Sequence, residues 1–470
     1  MATPVLVNDV HSALNPTHVS AVLRPRSIAE VQTIVRDAAA TGRSLAICGA
    51  RHAMGGQQFR SGQTLLDLTD LAGFIGIDHQ TGHATAHAGI TWPSLIAAYT
   101  QAQLQAFPEQ TPRWGIAQKQ TGADSLTLGG ALSANAHGRG LLLPPIVHDV
   151  ESFTLVNASG QVIECSREHN AKLFSLAIGG YGLFGVIVTV TLRLVPRCVL
   201  RRVVRVIDIE DAASAIYRRI DAGFTYGDFQ FDIDPASPDF LTKGVFSCYQ
   251  PVDNAQQPAP SQRELSRDDW AKLLLLAHTD KPRAFATYAQ HYLATDGQLY
   301  WSDTHQLGVY LDGYHEAIDR TLNAPHRCSE MITELYIPPE RLIAFLRAAA
   351  QTLTTRKAEV IYGTIRVIQP DTESFLPWAT ERSACVIFNL HVEHTPAGID
   401  HARDSFRALI DLALEHHGRF FLTYHRFATR QQLLRAYPQL PEFLARKRAH
   451  DPAATFSSDW YNSLVDTLTP

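Results

Sequence analysis

The chain has 470 residues and a formal net charge of −5 at pH 7, a length that predicts two or more domains. Hydrophobic residues make up 45% and charged residues 19%, which excludes general disorder and leaves no basic footprint for nucleic acid. No apolar run approaches the ~18 residues of a membrane span. Six scattered cysteines without a C-x-x-C pair argue against metal clusters and predict a reduced, cytoplasmic protein.

The first half of the chain alternates short strands and helices with glycine-rich turns. Ser27 and Glu30 form a capping-box pattern at the start of a helix that Gly42 ends. The apolar segment 45–48 predicts a buried strand, and it continues directly into a glycine-rich loop over 49–56. A strand that runs into glycines exposes backbone N–H groups, which can bind phosphate.

Two more glycine clusters follow at 127–140 and 179–185, and the second leads into a β-branched strand at 186–194. Neither these clusters nor 49–56 match the P-loop pattern. Segment 180–185 has the letters of G-x-G-x-x-G, but a strand follows it instead of a helix, so the Rossmann motif fails. Each cluster taken alone could equally be a tight turn.

The second half of the chain predicts an antiparallel sheet with helices on one side, after a change of pattern at Pro196. A polar, proline-rich stretch at 251–263 predicts a surface loop. Alternating and helical patterns predict strands at 201–207, 229–233, 334–337, 360–368 and 385–392, and helices at 211–222, 339–353, 401–417 and 431–447. The fold class is therefore α+β.

The first half resembles the FAD-binding domain of the vanillyl-alcohol oxidase/p-cresol methylhydroxylase (PCMH) superfamily. The resemblance rests on the order of the motifs: Pro25-Arg26-Ser27, Gly49-Ala50-Arg51-His52-Ala53, Thr127–Gly140 with Asn135-Ala136-His137-Gly138, and Gly179–Ile187. It implies a two-subdomain FAD-binding domain over 1–200, a substrate-binding cap with a large antiparallel sheet over 201–418, and a segment over 419–470 that returns to the flavin.

The resemblance also implies which residues contact FAD. They are Gly49, Ala50, Arg51, His52, Ala53, Thr127, Gly129, Gly130, Asn135, His137, Gly138, Gly182, Gly185, Val186 and Ile187. For His137 a buried residue with an internal partner is an equal alternative. His79, His83 and His87 alternate along a predicted hairpin, but metal ligands need further convergent partners. No metal site is predicted.

The Gly-x-Arg-His form of the flavin loop looks most like the alditol and aldonolactone oxidase branch. In that branch the loop histidine carries FAD covalently, which places the bond at His52. A neutral imidazole nitrogen can attack the flavin methyl carbon, and the tether favours hydride acceptance from an alcohol. The alternative is a loop histidine without a bond, as in non-covalent relatives.

Catalytic candidates come from the second half. Relatives in this branch carry an acid and an arginine two positions apart on one cap strand; here Arg366 fits, but Thr364 stands at the acid position. Either the substrate differs or the base comes from elsewhere. Tyr424 and His425 are the preferred proton acceptors, then His391, with Asn389 on the same strand face and Glu334 as an outside candidate. His305, Tyr310 and His315 either line a pocket or belong to a loop.

The resemblance implies an FAD-dependent oxidase acting on a CH–OH group of a sugar, polyol or lactone-like small molecule, with O2 as acceptor. Three alternatives stay open: a dehydrogenase with another acceptor, an oxidase of an aromatic or amine substrate, and a non-catalytic flavin-binding protein. A bulky Leu126 near the oxygen-access region keeps the dehydrogenase alternative open. The oligomeric state is not predicted.

Overall fold

The computed structural model describes residues 4–309 and 311–469. Within these ranges no helix is both long enough and apolar enough to cross a lipid bilayer. The first part of the chain forms strands β1 (Val5–Val7), β2 (Thr17–Val19), β3 (Ala21–Leu23), β4 (Leu45–Cys48), β5 (Thr64–Asp67), β6 (Phe74–Ile77), β7 (His83–His87), β8 (Trp114–Gly115), β9 (Val150–Val156), β10 (Val162–Ser166), β11 (Val186–Arg193) and β12 (Val195–Pro196), with helices α1 (Ile28–Thr41), α2 (Trp92–Ala106), α3 (Leu128–Ala134) and α4 (Ala171–Ala177).

Two sheets organise this first part. Strands β3, β5 and β4 form a small parallel sheet, and β10, β9, β11, β7 and β6 form an antiparallel one, in that order. Helix α1 has the predicted boundaries: the Ser27 side chain accepts from the Glu30 N–H, and Gly42 ends the helix at φ 64°. Strand β4 occupies the predicted 45–48 and delivers the chain into the glycine-rich loop.

The cap is built on one antiparallel sheet of eight strands in the order β16-β13-β15-β14-β18-β19-β17-β20. This confirms the predicted α+β class. Its elements are β13 (Val199–Asp208), β14 (Tyr226–Phe231), β15 (Lys243–Val252), β16 (Leu299–Trp301), β17 (Cys328–Ile337), β18 (Val360–Ile368), β19 (Ser383–Glu393) and β20 (Arg419–Phe420), with helices α5 (Ile209–Asp221), α6 (Arg267–Thr279), α7 (Lys281–Leu293), α8 (Tyr314–Leu322), α9 (Leu342–Arg356) and α10 (Pro396–Glu415).

Helices α6, α7 and α8 were not predicted from the sequence. Only Leu273 and Ala277 of α6 are buried, so its apolar stripe is too narrow to give a clear helical period. Tertiary packing stabilises these helices. Leu273 of α6 and Tyr288 of α7 pack with Val204 and Val245 of the sheet in one apolar cluster.

The last part of the chain forms α11 (Arg430–Ala436), α12 (Leu440–His450) and α13 (Asp459–Leu468). One continuous helix was expected over 431–447, but Pro438 interrupts it because proline cannot donate a backbone hydrogen bond. The segment then returns to the first part: Leu45 donates its N–H to the Thr455 carbonyl at 2.7 Å, and Ser457 donates to the Leu45 carbonyl at 3.0 Å.

Candidate active site

A cavity of about 1130 Å³ lies between the glycine-rich loops of the first part and the cap sheet. Glu334 from β17, and Tyr362 and Arg366 from β18, line the cap side. Thr423 and Tyr424, which follow β20, close a third side. The cavity therefore draws on all three predicted parts of the chain.

The opposite wall is made of backbone packed too closely for larger side chains. A Cβ on Gly49 would lie 2.0 Å from Thr127 Oγ1, and a Cβ on Gly185, whose φ is +150°, would lie 2.9 Å from the Val156 carbonyl oxygen. This wall suits a long ligand lying against main-chain groups. The predicted flavin contacts that line it are Gly49, Ala50, Arg51, His52, Ala53, Thr127, Gly129, Gly130, Gly182, Gly185 and Ile187.

Four predicted flavin contacts stand behind this wall instead. Asn135 ends α3 at φ 50° and donates its side-chain N–H to Asp371 at 2.8 Å. Gly138 packs against the Lys119 carbonyl, and Val186 is buried in an apolar cluster of β11. His137 is paired with Glu334. The partners of all four residues lie within the protein and not in the cavity. These residues therefore support the wall from behind.

His52 lies at the cavity wall with only 8% of its surface exposed. Its Nε2 is 2.8 Å from Ser125 Oγ. Burial, and then the neighbouring His11, lower the pKa of His52 to about 3, so the imidazole is neutral at physiological pH. His11 lies edge-on to it with ring centroids 6.0 Å apart. No sequence pattern marks His11, because it precedes the first recognisable motif.

Glu334 is the centre of a buried hydrogen-bond network. Its Oε1 accepts from the Tyr424 hydroxyl at 2.7 Å, and its Oε2 faces His137 Nε2 at 3.0 Å and accepts from the Tyr336 hydroxyl at 2.9 Å. Burial acts to raise the pKa of Glu334, but His137 and the hydrogen bonds outweigh it and hold that pKa below its ordinary value. A carboxylate is therefore maintained at the cavity wall.

Arg366 is buried, with 6% of its surface exposed. Its Nε and Nη1 have no hydrogen-bond partner among the residues that the structure describes, and the same is true of Asn389 Oδ1. Both residues line the cavity. Unpaired buried polar groups cost free energy. A polar ligand that hydrogen-bonds to these atoms would recover that free energy, so this wall suits a polar ligand. Thr364 donates its hydroxyl to the Phe229 carbonyl at 3.2 Å and supplies no acid.

The structure does not bring every predicted proton acceptor to the cavity. His425 is buried between Phe406 and Phe427, at centroid distances of 4.6 and 5.3 Å, and burial lowers its pKa to about 3. His391 lies beside Glu330 instead. Tyr424 does line the cavity, as does His305.

Three further residues singled out by the sequence fall in different places. His315 is next to Glu330, Leu126 lines the cavity, and Tyr310 lies outside the described residues.

Sequence reasoning missed Lys119, whose ammonium is fully buried 2.6 Å from Asp124 Oδ1. No motif marks this pair, and the loop that carries it forms part of the cavity rim.

Comparison with known proteins agrees with this architecture. The FAD binding domain family matches residues 19–166, and the D-arabinono-1,4-lactone oxidase family matches residues 283–464. The chain belongs to the aldonolactone oxidase branch of the PCMH-type flavoproteins. It is an FAD-linked oxidoreductase.

Individual relatives of this PCMH-type flavoprotein span different shares of it. L-gulono-1,4-lactone dehydrogenase of Mycobacterium tuberculosis is 25% identical over 445 residues, covering 94% of this chain and 95% of the relative. An uncharacterized oxidoreductase, ORF5 in the fasciation locus of Rhodococcoides fascians, is 36% identical over 173 residues, 37% of each chain. D-arabinono-1,4-lactone oxidase of Yarrowia lipolytica is 29% identical over 196 residues, 41% of this chain and 35% of that one.

Among solved structures, a solvent-stable cholesterol oxidase superposes with a TM-score of 0.70 over 98% of both chains. Its sequence identity is 18%, so this similarity establishes the fold of the flavoprotein and says nothing of its substrate. The likeness extends over the FAD-binding part, the cap and the returning C-terminal segment alike.

Proposed function

We propose that this flavoprotein oxidises a CH–OH group of a sugar-lactone substrate and passes the electrons to O2. One observation carries the proposal: buried Arg366 presents two unpaired N–H groups to a cavity that has a flavin-binding loop on its other side. The substrate class is supported by the relationship, over 94% of the chain, to a protein named L-gulono-1,4-lactone dehydrogenase.

Arg366 and Asn389 are proposed to bind the substrate and to orient the end of it that reacts. FAD, when bound, supplies the hydride acceptor. The fixed guanidinium of Arg366 favours negative charge developing beside it, since a charged donor in a water-poor cavity stabilises an anion far better than it would in water. The buried Asn389 Oδ1 accepts a hydrogen bond from a substrate hydroxyl.

Tyr424 and Glu334 are proposed to take the hydroxyl proton. Burial, and then the charge of Glu334, raise the pKa of Tyr424 well above its ordinary value, so Tyr424 is a neutral phenol. It can accept the substrate proton on its oxygen while its own proton moves along the 2.7 Å hydrogen bond to Glu334. This replaces the acid that Thr364 does not provide.

We also propose that His52 carries FAD covalently. Its lowered pKa supports this, because only the neutral imidazole is a nucleophile. The Ser125 hydroxyl at 2.8 Å from Nε2 orients the ring. We further assign FAD binding to 1–200, substrate binding to 201–418 and closure of the site to 419–470. The six free cysteines support a reducing compartment such as the cytoplasm.

A flavoprotein dehydrogenase with a different electron acceptor is the second candidate. Leu126, half-buried at the cavity wall, favours it because an apolar side chain beside the flavin loop can restrict O2 access. Anaerobic reduction followed by admission of air separates the two candidates. Rapid reoxidation in air supports the oxidase, and a flavin that stays reduced until a quinone is added supports the dehydrogenase.

The substrate proposal is tested by anaerobic bleaching of the flavin with L-gulono-1,4-lactone, D-arabinono-1,4-lactone, polyols, simple alcohols, and aromatic and amine donors. We expect a lactone to bleach it most rapidly. Arg366→Ala should slow that reduction by about 100-fold without loss of FAD, whereas Arg347→Ala, at a surface pair with Glu210, should change nothing. Reduction only by aromatic or amine donors would contradict the proposal.

A further inference from the structure

A cluster of ionisable side chains lies outside the flavin site, at one end of the cap sheet. It consists of Glu330, His278, His315 and His391, which we call the Glu330 cluster. Glu330 on β17 stands directly opposite His391 on β19. His278 comes from the last turn of α6, and His315 from the first turn of α8. Four separate elements thus aim their side chains at one place.

The distances in the Glu330 cluster suit direct ligands of one metal ion. Glu330 Oε1 is 2.9 Å from His278 Nε2 and 3.6 Å from His391 Nδ1, and one ligand atom from each of the three residues lies within 4.8 Å of the others. Zinc bonds to nitrogen and oxygen are roughly 2.0–2.2 Å long, so neighbouring ligand atoms in a tetrahedral site stand roughly 3.3–3.6 Å apart. The 3.6 Å distance already fits this range, whereas the 2.9 Å pair is at hydrogen-bond distance and has to open by about 0.5 Å to admit the metal.

The ring of His278 is held in the orientation of a metal ligand. Its Nδ1, which points away from Glu330, is 3.1 Å from the Leu274 carbonyl. Because a carbonyl only accepts, this nitrogen carries the proton in the neutral ring, and Nε2 then presents its lone pair towards Glu330. Histidines that bind metals are oriented in this way, through a backbone carbonyl behind the ring.

One ring nitrogen of the Glu330 cluster is left without a partner. His391 Nδ1 is buried and has no hydrogen-bond partner among the residues that the structure describes. An unpaired buried polar atom costs free energy, and a cation held between this nitrogen and Glu330 removes that cost.

A second group of potential ligands does not qualify. His137, Glu334 and Cys385 also bring ligand atoms within 4.8 Å of one another. However, His137 Nδ1 faces the Gly138 carbonyl at 2.9 Å and its Nε2 faces Glu334 at 3.0 Å. Glu334 in addition accepts from the Tyr336 and Tyr424 hydroxyls, so this group is already part of the hydrogen-bond network at the cavity wall.

We propose that His278, Glu330 and His391 bind a divalent transition metal such as Zn²⁺ in a structural role. The three ligands leave the fourth tetrahedral position to water. The metal fastens α6 to the sheet. Ile332 and Asn389, one alternate position further along β17 and β19, line the substrate cavity, so the metal also holds that end of the cavity in shape.

The test uses the full-length flavoprotein, stripped with a chelator and passed over a desalting column. Zn²⁺ is then added at micromolar concentration, the excess is removed, and bound zinc and flavin are measured by elemental analysis and absorbance. We expect one zinc per chain and a higher melting temperature with zinc than without it. Less than about one tenth of an equivalent retained by the wild type overturns the proposal, given the nanomolar or tighter binding of structural zinc.

Three variants locate the bound ion: His278→Gln, Glu330→Gln and His391→Gln. Each should weaken zinc binding at least about tenfold, while His169→Gln, at an exposed position, should bind as the wild type does. His391 is the decisive position because its side chain is 20% exposed and tolerates a polar replacement without loss of folding. Wild-type affinity in His391→Gln overturns the assignment even if the other variants fail to fold.

Discussion

At the scale of single residues, burial decides what each ionisable group can do. Burial keeps His52 neutral, with a pKa of about 3, and it keeps the Tyr424 phenol protonated. Glu334 has the opposite outcome because His137 and two phenols stabilise its charge. The result is a cavity wall with a neutral imidazole, a protonated phenol and a carboxylate, which are the forms that our proposal for the oxidation of an alcohol requires.

The covalent tether is a prediction about one residue. The wild-type protein should give a yellow pellet on acid precipitation and a flavin-modified peptide that contains His52, because a covalent bond survives unfolding. His52→Ala should release all of its FAD, whereas His169→Ala, at an exposed position, should keep the pellet yellow. Peptide mass spectrometry makes the assignment. A colourless wild-type pellet with free FAD in the supernatant would rule the bond out.

The pH dependence of stability is a second prediction about a single residue. Because the pKa of Glu334 is lowered in the folded protein, its carboxylate stabilises the fold above the ordinary pKa of about 4.3, and this stabilisation is lost as pH falls through the folded pKa. Glu334→Gln should cost about 3 kcal/mol at pH 7, and the difference from the wild type should shrink below about pH 4.

Thermal unfolding of both proteins between about pH 3 and pH 8 measures this change. Glu340→Gln, which removes an exposed carboxylate, provides the matched control and should follow the wild-type curve throughout. A gap between Glu334→Gln and the wild type that stays constant across the pH range would mean that the ionisation of Glu334 does not contribute.

At the scale of elements, strand β18 places the cap residues of the site. Its register with β19 sets Arg366 opposite Cys385 and Tyr362 opposite Asn389. The side chains of Tyr362 and Arg366 therefore reach the same cavity. Gly363, between them, points to the other face, where Phe231 packs against it. The close fit of Phe231 over this glycine fixes β18 against its neighbour and so fixes Arg366.

Adding a methyl group to Gly363 tests that fit. The new Cβ would lie 2.0 Å from Phe231 Cζ and 2.9 Å from the Ile387 carbonyl oxygen, so Gly363→Ala should destabilise the protein by about 1–3 kcal/mol. Gly76→Ala is the control, because nothing lies within 4 Å of that Cβ on β6. Equal melting temperatures for the two variants would show that β18 is free to shift.

At the scale of the whole molecule, the C-terminal segment joins the cap back to the FAD-binding part. The Asp451 carboxylate fixes the conformation of this segment. It accepts from the Thr455 and Phe456 N–H groups at 2.9 and 2.8 Å, at the point where the chain pairs with β4. Lys447, buried in α12, neutralises it at 2.5 Å. The segment also carries Tyr424 to the cavity, so the proposed proton-accepting pair of Tyr424 and Glu334 depends on its docking.

Breaking the Lys447–Asp451 pair should therefore weaken the docking of the C-terminal segment on the FAD-binding part. Asp451→Asn leaves a buried ammonium unpaired, and we expect a loss of about 3–5 kcal/mol in unfolding free energy together with weaker flavin retention. Glu442→Gln removes the exposed pair with Arg446 on the same helix and should cost less than about 1 kcal/mol. Urea unfolding compares them, and equal losses would contradict a structural role for Asp451.

Local sequence patterns were sufficient to predict several helices and strands. The helix that begins after Ser27 and the strand at 360–368 depend on contacts between near neighbours in the chain, and the structure confirms both elements. Arg366 was predicted from the resemblance, because related oxidases carry an arginine at this strand position, and its side chain does line the cavity.

Which polar side chains meet depends on how remote segments of the chain pack together. Glu334 is 197 positions from His137 and 90 from Tyr424, and the Glu330 cluster joins four elements; no local pattern encodes such distances. His425 and Tyr424 are adjacent in sequence, yet one is buried against phenylalanines and the other lines the cavity. The physical reason is that burial and pairing, which set the chemistry of an ionisable group, arise from packing between remote segments.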